Sequence, residues 1–167
     1  MAVFHGEHRH TVDSKGRVAV PNAFRKRLSS ASEGKLILLL GRDRTIEVHP
    51  LSEWDEFVGA TLRQLPRYDE RALRVRRNRF RSHEIEIDRQ GRILLPKIYR
   101  EKLEIGTEVV FAGVGDWFEI WESGSYDAYH DAADVGIMDD LAALERAGWR
   151  HDGPTGGTGV SPTGDGR

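Results

Sequence analysis

Cysteine is absent from the 167 residues, which removes disulfide frameworks, thiolate zinc sites and cysteine nucleophiles together and fits a reducing compartment. Long apolar runs are missing too. The longest, Leu36–Leu40, falls far short of the roughly 20 residues that a bilayer-spanning helix needs. The opening segment Met1–Glu7 has no charged leader ahead of an apolar stretch, so a soluble, cytoplasmic chain without membrane partners is expected. Net charge of either sign is nearly lacking: 25 Lys and Arg face 27 Asp and Glu, a formal charge of -2, which selects no class of partner. No G-x-S-x-G elbow, P-loop, H-E-x-x-H helix or spaced dinucleotide fingerprint occurs, so neither enzymatic activity nor a cofactor is expected. With 38% hydrophobic residues, this length suits one ordinary domain or two very small ones, and excludes a large multidomain enzyme.

The charge that is present is unevenly spread. Residues 1–125 hold 22 Lys and Arg against 19 acids, whereas residues 126–167 hold 3 against 8. Eight arginines lie between Arg63 and Ser82, and six basic residues between Glu7 and Leu28. Such local excess serves polyanion contacts or simply a solvated face, and charge alone does not decide between them.

An internal duplication does more. The run Asp13-Ser14-Lys15-Gly16-Arg17-Val18-Ala19-Val20-Pro21, continuing to Leu28, recurs as Asp88-Arg89-Gln90-Gly91-Arg92-Ile93-Leu94-Leu95-Pro96, continuing to Leu103, at a constant offset of 75 residues. Asp, Gly, Arg and Pro match identically, as do Arg25 with Arg100 and Leu28 with Leu103; Phe24 and Tyr99 match in kind. One copy of D-x-x-G-R is a weak motif, but two aligned copies are far more specific.

Each copy has the same physical reading. Alternating residues at His8–Val12 and Glu84–Ile87 predict half-buried strands. Asp13 or Asp88 then bonds the backbone two residues on while Gly16 or Gly91 takes positive φ, so D-x-x-G forms a tight turn that lifts its middle side chains into solvent. Val18–Val20 and Ile93–Leu95 form second short strands, ended by Pro21 and Pro96, which open short helices. A hairpin follows in each copy, Leu36–Leu40 with Thr45–His49 and Glu108–Ala112 with Trp117–Glu122. Ser52 is expected to cap a helix over Glu53–Leu65, with Asp55 in the reciprocal position. Asp69–Arg79 reads as helix or loop, and Met138–Ala147 as a terminal helix. The expected divisions are a first repeat at 7–51, a helical linker at 52–81, a second repeat at 82–124, a C-terminal helical segment at 125–148 and a disordered Gly-rich tail at 149–167.

On these residues, together with Phe4 and Gly6 near the start, the sequence resembles the MraZ family of bacterial transcriptional regulators, which carry two tandem SpoVT-AbrB-type repeats. The resemblance implies a mainly β fold with added helices, an α+β pseudo-twofold swapped-hairpin barrel of AbrB type built from the two repeats. It also implies ring-shaped homo-oligomers, a nucleoid-associated protein, and binding to short repeated boxes in double-stranded promoter DNA. The boxes would lie upstream of the division and cell-wall gene cluster, the regulator's own operon. The Gly-rich tail lies outside that pattern, and Gln90 stands where the first turn has Lys15.

The expected DNA-binding residues are Arg17 and Arg92 for base edges, Lys15 and Arg89 for phosphates or neighbouring bases, and Arg25 and Lys97 for outer positioning. Asp13, Gly16, Asp88 and Gly91 shape the turns. A structural reading stands beside this one: Arg17 and Arg92 pair across the turn with Asp13 and Asp88. Turn chemistry, however, demands no arginine after the glycine in both copies. His5, His8 and His10 have no spacing diagnostic of a metal, and none is expected. Trp117, Phe118 and Trp121 read as core or interface packing. The alternative function is an oligomeric protein-interaction or antitoxin-like module of the same fold.

Overall fold

The computed structural model describes residues 2–28 and 34–149, and the tail expected to be disordered lies almost wholly outside them. The chain divides into two compact units, residues 1–128 and 129–167. The first holds β1 (Glu7–Thr11), β2 (Arg17–Ala19), α1 (Asn22–Arg25), β3 (Lys35–Leu40), β4 (Ile46–Pro50), α2 (Leu51–Ala60), α3 (Glu70–Arg79), β5 (His83–Glu86), β6 (Arg92–Leu94), α4 (Lys97–Lys102), β7 (Glu108–Gly113) and β8 (Phe118–Glu122). Helix α5 (Ser123–Ala133) begins in the first unit; α6 (Ile137–Arg146) belongs to the second and buries no side chain.

Strands from the two repeats interleave. A six-stranded antiparallel sheet runs β1-β7-β8-β4-β3-β5, and a separate two-stranded ribbon pairs β2 with β6. Thus β1 of the first repeat pairs with β7 of the second, and β5 of the second with β3 of the first. The centre of the sheet, β4 on β8, sets Ile46 opposite Ile120 and Val48 opposite Phe118.

The expected mainly β swapped-hairpin barrel is not what forms. The sheet is open, with β1 and β5 as its edges, and among the described residues helix accounts for 38% and strand for 27%. The sequence of β3, Lys-Leu-Ile-Leu-Leu-Leu, carries the reason: it is apolar at both parities, so both faces of the strand must be covered. The outer face of a small barrel would leave half of those residues in water. Instead Leu36 and Leu38 join Val109, Phe111, Phe118 and Ile120 in the main core, where the ribbon's Val18, Val20, Ile93 and Leu95 and the helical Phe24 and Tyr99 cover them. On the opposite parity, Ile37 and Leu39 pack on Trp54 of α2, and Val110 and Ala112 lie with Trp121 and Tyr126.

Local chemistry explains the helix limits. Pro21 and Pro96 occupy the N-cap positions of α1 and α4, where a missing N–H costs nothing. Ser52 is not a cap: α2 starts directly after Pro50, which places Ser52 within its first turn. Asp69 does cap α3, accepting hydrogen bonds from the backbone N–H groups of Arg71 (2.8 Å) and Ala72 (3.2 Å).

Candidate nucleic-acid interface

Each D-x-x-G-R segment closes on its aspartate. Asp13 Oδ1 accepts the N–H groups of Lys15 and Arg17, both at 2.9 Å, its carbonyl accepts the Gly16 N–H, and its own N–H reaches Arg17 O. Asp88 repeats the pattern with Gln90, Arg92 and Gly91. The geometry needs φ of +84° at Gly16 and +76° at Gly91, the left-handed region in which glycine alone is unstrained. The backbone N–H of Arg17 is the main influence that lowers the Asp13 carboxyl to about 2; burial opposes it, and the Arg17 guanidinium and the Lys15 N–H reinforce it. Asp88 is lowered in the same way, with the Arg92 N–H foremost.

The second aspartate oxygen takes the arginine. Arg17 Nε donates to Asp13 Oδ2 at 2.9 Å and Arg92 Nε to Asp88 Oδ2 at 3.1 Å, so the pairing across the turn is present in both copies. It uses one edge of each guanidinium. Among the described residues, no hydrogen bond is made by the terminal Nη groups of either arginine. A carboxylate that holds Nε leaves those two nitrogens aimed and free, the fork that matches a guanine edge.

The ribbon aligns the two turns. Its register sets Arg17 opposite Leu94, Val18 opposite Ile93 and Ala19 opposite Arg92, and it continues through Leu95 N–H to Gly16 O and Val20 N–H to Gly91 O, both 2.9 Å. Directly opposed residues share a face and successive residues alternate. Val18, Val20, Ile93 and Leu95 are buried, so Arg17, Ala19, Arg92 and Leu94 all lie on the outward side. Arg17 and Arg92 are diagonal neighbours across the ribbon, a relationship that typically sets the backbones about 7–8 Å apart.

The remaining expected contacts are placed less uniformly. Lys15 and Arg89 are exposed at the turns, and their side chains bond to no described residue. Lys97, on α4, lies 3.5 Å from Glu101 and is exposed. Arg25 is drawn back to the fold: its Nε donates to Val20 O at 3.2 Å, and its guanidinium lies against Gly91 of the other repeat. Arg100, its counterpart, bonds Leu95 O at 3.2 Å and lies against Gly16. That role was missed in the sequence, although the match of Arg25 with Arg100 marks both.

The profile of the family described as "MraZ protein, putative antitoxin-like" matches residues 3–78 and 81–145, one D-x-x-G-R turn in each segment. The chain belongs to the MraZ family. It is 35% identical to a protein named transcriptional regulator MraZ from Halothermothrix orenii, over 87% of this chain and 99% of that one. Similar relatives of the same name occur in Desulforamulus reducens, 40% identical over 80% of this chain and 91% of that one, and in Hydrogenovibrio crunogenus, 32% identical over 86% and 99%.

Other candidates are engaged elsewhere. The His8 ring meets Phe24 edge-on at 5.1 Å, His10 Nδ1 is 2.6 Å from Ala19 O, and no group of three metal-binding side chains occurs among the described residues. Phe118 is core, Trp121 Nε1 donates to Glu119 at 2.9 Å, and Trp117 stacks on His49 at 5.7 Å. In the Arg63–Arg81 stretch, Arg71 pairs with Asp69, Arg74 with Glu70, Arg79 with Glu47, and Arg76 donates to Leu65 O. A cavity of about 350 Å³ between Trp54, Phe57, Trp117, His49, Glu47 and Arg79 was not foreseen. Burial pushes the Glu47 carboxyl up, but the His49 hydrogen bond and the Arg79 charge outweigh it and hold it below the ordinary value.

Proposed function

We propose that this MraZ-family chain is a sequence-specific transcriptional regulator, not an enzyme, and that it inserts its β2–β6 ribbon into the major groove of promoter DNA. The observation that carries this reading is the ribbon register, which places Arg17 and Arg92 on one outward face, each steadied by an aspartate. A two-stranded ribbon fits a groove about 12 Å wide, and arginines whose backbones typically lie about 7–8 Å apart span roughly two base-pair steps. Arg17 and Arg92 read guanine edges, Lys15 and Arg89 neutralise phosphates, and Lys97 gives outer positioning. Arg25, expected beside Lys97 in outer positioning, also braces the turn at Gly91.

One ribbon touches few base pairs, so its affinity is modest and falls with salt. A ring of identical subunits on repeated boxes upstream of the division and cell-wall cluster, including the chain's own gene, converts weak contacts into avidity. Such a protein resides with the nucleoid, and among the described residues no helix is long and apolar enough to cross a membrane.

The deciding experiment is protection mapping and gel shift on that upstream DNA. Arg17→Ala is expected to weaken box binding at least tenfold with the fold and assembly unchanged; unaltered affinity rejects the assignment. Failure of the intact protein to bind any duplex, together with tight capture of a protein partner, supports the antitoxin-like alternative.

A further inference from the structure

The outward face of the ribbon repeats its arginines but not their neighbours. Arg17 faces Leu94 across the strands, whereas its counterpart Arg92 faces Ala19. Leu94 is 55% exposed, although the adjacent Ile93 and Leu95 are buried and the strand pattern needs no large apolar residue at 94. A branched apolar side chain held in water beside an aimed guanidinium is unfavourable until something covers it. In the major groove the base edges offer one apolar feature, the 5-methyl group of thymine. Directly opposed Cβ atoms lie about 5 Å apart, or one to two base steps of roughly 3.4 Å. Leu94 therefore meets a base close to the one at Arg17, and Ala19 is too short to do the same beside Arg92.

We propose that Leu94 packs on a thymine methyl group next to the base read by Arg17, and that its inequality with Ala19 makes a nearly twofold ribbon read its box in one direction. The inference rests on the ribbon entering the major groove. Two further differences between the copies, Ser14 with Arg89 and Lys15 with Gln90, sit at the turn tips, where they bear on phosphates.

The test uses the full chain and the protected box from the DNA upstream of its gene, with each thymidine replaced singly by deoxyuridine. This removes the methyl and keeps the hydrogen-bonding edge. At one position, on one side of the box, wild type is expected to bind about three- to fivefold more weakly, the worth of one buried methyl. Leu94→Ala, at an exposed site that the core does not need, shows a comparable loss on thymidine DNA and becomes indifferent to the methyl. Ala19→Leu gains sensitivity on the other side of the box. The proposal is overturned if wild type still selects the box over a scrambled duplex yet ignores every uracil, or if Leu94→Ala stays as methyl-sensitive as wild type. If wild type does not select the box at all, the major-groove reading itself falls, a result distinct from selective but methyl-blind binding.

Discussion

The guanidinium of Arg25 lies so close over Gly91 that a Cβ there would stand 2.5 Å from Nη1 and 2.7 Å from Cζ. Arg100 lies over Gly16 in the same way, with Cζ 2.6 Å from the corresponding point. Each D-x-x-G-R turn is thus backed by an arginine from the other repeat. Gly91→Ala is expected to lose about 1–2 kcal/mol in denaturant unfolding, from positive φ and from displacement of Arg25. In an Arg25→Ala background only the φ cost remains, so the penalty should shrink. An undiminished penalty would show that Arg25 does not press on the turn.

Phe24 is an aromatic hub of the main core. Its ring centroid is 5.5 Å from Phe4, 5.0 Å from Phe118 and 6.5 Å from Phe111, and it is fully buried. Phe24→Ala should cost about 3–5 kcal/mol, a large part of the stability of a small domain. Its counterpart Tyr99 adds a hydroxyl 3.2 Å from Leu38 O and 3.1 Å from Arg81 O, so Tyr99→Phe should cost only about 1 kcal/mol. Thermal melts of the two variants separate packing from hydrogen bonding.

The elements were legible because their signals are local. D-x-x-G turns, strand parity and proline-opened helices depend on residues within a few positions, and the turns appear where Asp13 and Asp88 place them. The open sheet was not legible. Nothing local in β3 says whether its doubly apolar run lies in a barrel wall or between two covers; that depends on α2, α5 and the ribbon, whose contacts are long-range. The same holds for Arg25: nothing local shows that its guanidinium lies against Gly91 of the other repeat. Arg79 likewise read as one charge in a basic run, because Glu47, its partner, is 32 residues away.

That ion pair has a definite pH signature. Arg79 Nη1 is 2.9 Å from Glu47 Oε2, on a side chain only 13% exposed. Arg79→Ala removes one of the two partners that offset burial, so the Glu47 carboxyl should rise and stability at pH 7 should fall by about 1–3 kcal/mol. Because wild-type Glu47 is lowered from 4.5, its contribution is complete above that value and is lost as pH falls through the folded-state value. The stability gap between wild type and variant should therefore narrow on acidification. A gap independent of pH would place the effect in packing alone.

A single carboxylate of Asp13 both closes the turn and holds Arg17. It is lowered from 3.8 to about 2, so the turn it stabilises should be intact above pH 4 and weaken only as pH falls through about 2. Asp13→Asn keeps an oxygen for the Lys15 and Arg17 N–H groups but puts an amide where Oδ2 accepts Arg17 Nε, so the fold should survive, that acid-dependent loss should disappear, and Arg17 should swing free. Removing a negative charge from the surface proposed to face phosphates favours non-specific binding, whereas releasing Arg17 disfavours the proposed base contact. The two effects have opposite signs and can be read apart: affinity for a scrambled duplex should hold or rise, while affinity for the box falls about tenfold. An equal change on both duplexes would mean that the carboxylate tunes only the overall field and does not aim the arginine.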